Sequence, residues 1–152
     1  MESVWDYPRP PAVVACQRRV RVAFAEQSIA DSTNALRVLE TASPPTIYVP
    51  AADVRTDLLI PVQGSTVCEW KGVATYFDVA ADGEQSSRAA WSYPELPAAY
   101  AALVDHYAFY PGRVECHLDE ERVRPQVGGF YGGWVTDDIA GPFKGEPGTG
   151  HW

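Results

Sequence analysis

"TVCEWKGVATYFDVAADGEQSSRAAWSYP", Thr66 to Pro94, contains three extended runs and two turns. TVCEWKG and VATYFDVA read as two strands joined at Lys71-Gly72. DGEQ, Asp82 to Gln85, is a hairpin turn, and SSRAAWSYP is the next strand, ended by Pro94. Strands joined by turns this tight pair antiparallel, so this stretch sets the fold class.

The pattern extends in both directions. Val20, Val22 and Phe24 alternate with Arg19, Arg21 and Ala23, the period of a half-buried strand. AEQS then turns the chain and SIAD returns it. Leu36, Val38 and Glu40 share one face of an extended segment, with Arg37 and Leu39 on the other. Pro44-Pro45 excludes a helix, and TIYV is a short strand closed by Pro50. AADVRTDLL suits a helical turn or a strand equally. Downstream, Leu96, Tyr100, Leu103 and Tyr107 recur at helical spacing and predict one α-helix near residues 95–108. RVECHLDEERVRP predicts a further hairpin, turning at Asp119–Glu121. The expected fold is mainly β: coiled antiparallel sheets forming a small barrel or tent, with that helix. Residues 1–18 read as an extended arm rich in proline and aromatics, and 19–125 as the β domain. Residues 126–152 read as a tail rich in glycine and aromatics; Phe130, Tyr131, Trp134 and Phe143 would cover the domain or a neighbouring subunit.

The net charge of −8 argues against binding to a phosphate backbone, so no nucleic-acid partner is expected. Three cysteines, Cys16, Cys68 and Cys116, show no CxxC spacing, which argues against a disulfide framework and a zinc site. His106, His117 and His151 show no metal-ligand spacing either, so neither metal nor cofactor is expected. The start of the chain lacks a signal-peptide pattern and no apolar run reaches membrane-spanning length; a cytoplasmic setting is expected. The chain has only two lysines, Lys71 and Lys144.

RVLE (Arg37–Glu40), PPTIYVP (Pro44–Pro50), CEWKG (Cys68–Gly72), AAWSYP (Ala89–Pro94), DHYAFYPGRV (Asp105–Val114) and GGFYGGW (Gly128–Trp134) occur in this order. In that order they resemble the DUF427 family of small bacterial and fungal proteins, over about Arg19 to Pro125. The resemblance implies an Mss4-like arrangement of coiled sheets and no assigned activity. The family is in places filed under nucleotidyltransferases. That chemistry needs a Gly-Ser loop with carboxylates holding magnesium. The only Gly-Ser step here, Gly64-Ser65, lacks a D-x-D pair at the right distance.

Within TVCEWKG the strand period sends Cys68 and Lys71 to opposite faces unless the chain bends at Gly72. The segment is therefore expected to bury Cys68 and Trp70 and then present Lys71, salt-bridged to Glu40 or Glu69 or placed in a pocket. Buried tyrosine hydroxyls need partners. The many aromatics, with Arg37, Glu40 and Lys71, suit an apolar-walled pocket with a polar floor. Its expected lining is Arg37, Glu40, Tyr48, Lys71, Tyr76, Trp91 and Tyr93, around a small, anionic molecule. An alternative makes the pocket an active site, with Lys71 or Cys68 as the reactive group. A third reading is a structural protein whose aromatic arm and tail join two copies into a homodimer.

Overall fold

The computed structural model describes residues 1–68, 70–127 and 131–144. Glu69, Phe130 and His151, each assigned a place above, lie outside the described residues. The strands in chain order are β1 (Glu2–Ser3), β2 (Ala12–Ala15), β3 (Val20–Phe24), β4 (Gln27–Ser32) and β5 (Leu36–Leu39). There follow β6 (Thr46–Pro50), β7 (Leu59–Cys68), β8 (Gly72–Ala81), β9 (Glu84–Ser92) and β10 (His106–Phe109). The last are β11 (Glu115–Leu118), β12 (Glu121–Arg122), β13 (Arg124–Pro125), β14 (Trp134–Val135) and β15 (Ile139–Ala140).

The protein is mainly β, as its sequence predicts. A seven-stranded antiparallel sheet runs β2-β5-β6-β10-β9-β8-β7, and a four-stranded one runs β12-β11-β3-β4. Neither closes into a barrel; β2 and β7 are the free edges of the larger sheet. The three strands of the opening stretch form its β7-β8-β9 half. Their hairpins close at Cys68↔Gly72 and at Ala81↔Glu84.

The central strands of the large sheet are buried on both faces, and strand alternation makes the two faces chemically different. Ile47, Val49, Val79 and Phe109 point toward the small sheet and meet Val20, Val22, Ile29 and Cys116 in an aliphatic core. Their neighbours Tyr48, Tyr76, Ala108 and Tyr110 point the other way and join Trp91, Tyr93 and Tyr100 in an aromatic cluster. A sheet covered on both faces leaves little room for polar side chains, so the tyrosines on the second face need a polar feature of their own.

The expected α-helix does not form. Ala98–Leu103 is a short 3-10 helix, and the chain is extended again by His106. Pro94 and Pro97 flank its start, and Tyr100 departs from helical geometry at φ −119° and ψ 18°. The decisive competitor is β10, which fills the slot between β6 and β9 and hydrogen-bonds on both sides. Leu103 and Tyr100 still bury their side chains, so the helical spacing marked burial correctly but not conformation.

The N-terminal strand meets a late one. β1 pairs in parallel with β15, and Val4, Tyr7 and Ile139 form a small cluster with Leu39 and Phe143 packed against it. Trp134 is 1% exposed and its indole N–H donates to the Phe109 carbonyl at 3.0 Å. Among the described residues, no helix is long and apolar enough to cross a membrane.

Candidate functional site

The aromatic face of the large sheet carries a cavity of about 240 Å³. Its floor follows from strand register. Tyr48 on β6 stands opposite Ala108 on β10, Ala108 opposite Trp91 on β9, and Trp91 opposite Tyr76 on β8. The small Ala108 in this row lets the rings of Tyr48 and Trp91 lean together at 6.2 Å, edge to face. The Trp91 indole N–H donates to the Tyr48 hydroxyl at 3.3 Å, and the Tyr76 hydroxyl and Thr66 Oγ1 share a hydrogen at 2.7 Å. Thus the aromatic walls bring their own polar atoms to the cavity.

Burial pushes the Tyr48 phenol well above its ordinary range. Burial, then the neighbouring Tyr48 and Cys68, do the same to Tyr93. Burial and a hydrogen bond with Tyr76 raise Tyr110. These hydroxyls stay neutral at physiological pH and can donate hydrogen bonds into the cavity.

Lys71 lies in the β7-β8 turn. It is 7% exposed, its Nζ stands 5.7 Å from the Tyr93 ring centre, and among the described residues it makes no ion pair or hydrogen bond. Gly72, at φ +97°, takes a left-handed conformation that turns the chain here. The burial order differs from expectation: Lys71 is the buried residue, while Cys68 and Trp70 are half-buried against the aromatic cluster. Strict alternation stops where the turn begins, so Lys71 and Cys68 both line the cavity instead of facing apart.

Glu40, Tyr48, Tyr76, Trp91 and Tyr93 line the same cavity. Arg37 does not. It borders a separate cavity of about 200 Å³ on the other face, where its guanidinium bonds Glu2 at 2.5 Å. Burial pushes the Glu2 carboxyl up, but hydrogen bonds from Arg37 and Tyr7 outweigh it and hold it below the usual carboxylate range. Strand alternation explains the separation: Val38 joins the aromatic cluster, so Arg37 beside it points away.

Sequence reasoning missed Thr66, Tyr110, Tyr131, Gly132 and Lys144. Tyr110 carries on the alternation of Ala108, a signal obscured by the expected helix. Gly132 lies so close to Trp91 that an added Cβ would stand 2.2 Å from the ring atom Cη2. Lys144 half-covers itself on Tyr131, with Nζ 5.5 Å from that ring's centre.

A family model described as a domain of unknown function, DUF427, matches residues 12–120. The chain belongs to the DUF427 family. A comparison with curated proteins finds no match. The DUF427 match takes in β2 through β11, hence the cavity floor and Lys71. Tyr131, Gly132 and Lys144 lie beyond it. Among the described residues, no three His, Cys, Asp or Glu side chains gather where they could hold a metal ion.

Proposed function

We propose that this DUF427 protein binds a small anionic molecule in the aromatic cavity around Lys71. The observation that carries this reading is a buried ammonium with no anionic partner among the described residues. Removing a charge from water without pairing it costs several kcal/mol. A bound anion supplies the missing partner, and the neutral phenols add donors. The cavity, at about 240 Å³, is smaller than the roughly 300–1,000 Å³ typical of drug-sized sites, so a small organic acid or inorganic anion suits it. Binding is favoured over turnover because no described hydrogen bond joins the Cys68 thiol or the Lys71 amine to a base.

Native mass spectrometry of gently purified protein tests for a retained small molecule. Titration with short carboxylates and inorganic phosphate, followed by tryptophan fluorescence from Trp70 and Trp91, tests for reversible binding. Lys71→Met is expected to abolish the fluorescence response. Silence toward every anion in the wild type, with no retained mass, would sink the reading; so would an unchanged response in Lys71→Met.

A further inference from the structure

Resting on that reading, we infer that the ligand is a two-ended dianion, with one anionic group held by Lys71 and the other by Lys144. A short dicarboxylate has this chemistry.

The chain spends its only two lysines on this one cavity. Several arginines are used differently: Arg18, Arg19 and Arg37 sit in ion pairs with carboxylates, while Arg88 and Arg113 lie over the rings of Tyr76 and Tyr110. Among the described residues neither lysine has such a pair. Each instead rests on a tyrosine face, Lys71 on Tyr93 and Lys144 on Tyr131. A cation–π contact positions an ammonium and leaves its N–H donors for a ligand. In a molecule of net charge −8, two cations that form no ion pair among the described residues are gathered at one hollow.

Lys144 is also held in place by its backbone. Its N–H donates to the Ala42 carbonyl at 2.7 Å, and its carbonyl accepts from the Gln126 side-chain amide. The Gln126 amide oxygen in turn accepts from the Gly133 N–H at 3.1 Å. This network ties the tail segment around Gly132 to the wall formed by Trp91. Glu40 lines the same cavity. Its carboxylate repels an anionic group brought against it, which leaves the two ammonium groups as the places for the ligand's charges. Because Lys144 lies outside the residues matched to the family, preference for a second anionic group is a property of this chain's tail.

Calorimetric titrations of the full chain with succinate, butyrate and inorganic phosphate, at one ionic strength, test the inference. Wild type is expected to bind succinate at least about tenfold more tightly than butyrate, the effect of one added charge-assisted contact. Lys144→Gln should bring succinate down to about the affinity that the same variant shows for butyrate. Lys144→Arg should keep most of the preference, and near-UV circular dichroism should match wild type in both variants. Equal affinities for succinate and butyrate in wild type, or a succinate preference that survives Lys144→Gln, would overturn the two-ended ligand while leaving anion binding at Lys71 intact. Tighter binding of phosphate than of succinate would overturn it too, in favour of one compact dianion. Failure of all three anions to bind would remove the underlying reading together with this one.

Discussion

Lys71→Met separates what the ammonium costs from what it does. The two side chains are similar in length, and methionine fills irregular apolar space readily. Even buried ion pairs are often replaced by well-packed apolar residues at no cost or with a gain of about 1–4 kcal/mol. The unliganded variant should therefore unfold in denaturant at or above the wild-type midpoint while losing anion binding. A clear loss of stability would show that Lys71 serves the fold rather than a ligand. Gly132→Ala makes the complementary prediction. Its new methyl would meet the Trp91 ring at 2.2 Å, and overpacking of this kind costs about 1–3 kcal/mol. Trp91 is 6% exposed and stacks near Tyr110, so the ring has little room to retreat. The tail should lift instead, seen as a changed near-UV tryptophan signal with the far-UV strand signal preserved. An unperturbed near-UV spectrum would contradict this close contact.

The β7-β8 hairpin is the element that places Lys71, and Gly72 is its hinge. Its φ of +97° is strained for any side chain, and an added Cβ would stand 3.5 Å from the Glu95 carbonyl oxygen. Gly72→Ala should cost about 1 kcal/mol or more and weaken anion binding by shifting the turn. Denaturation and fluorescence titration of the same preparation check both, and unchanged stability with unchanged binding would refute the hinge role. These hairpins were legible in the sequence because their turn residues and alternation agreed. The segment from Leu96 to Tyr107 was not, because a helical spacing of apolar residues cannot reveal that β6 and β9 leave a strand-shaped gap for His106–Phe109. The site was legible to the same extent. Tyr48, Tyr76 and Trp91 carry it on alternating strand positions, whereas Arg37 was grouped with them against its own alternation with Val38 and Glu40. Lys144 and Gly132 come from a tail whose docking depends on tertiary contacts with Ala42, Gln126 and Trp91, and no local pattern announces such contacts.

Across the whole molecule, the two faces of the large sheet divide the work: one side packs aliphatic residues, and the other buries phenols around a cavity. That second face makes stability depend on alkaline pH. Burial raises the phenols of Tyr48, Tyr93 and Tyr110 above their ordinary value of 10.0. In the unfolded chain these groups lose protons near that ordinary value, while the folded chain still holds them. The folded state then binds more protons, so its stability falls as pH rises. Their contribution is complete below about pH 9 and is lost progressively above pH 10. Alkaline titration should thus find the phenols of Tyr48, Tyr93 and Tyr110 ionising late, together with loss of the far-UV strand signal. Ligand held by the neutral phenol donors would be released over the same range. If every tyrosine ionises in one smooth step near its ordinary value while the strand signal persists, the phenols are not held away from water, and the closed aromatic face is wrong.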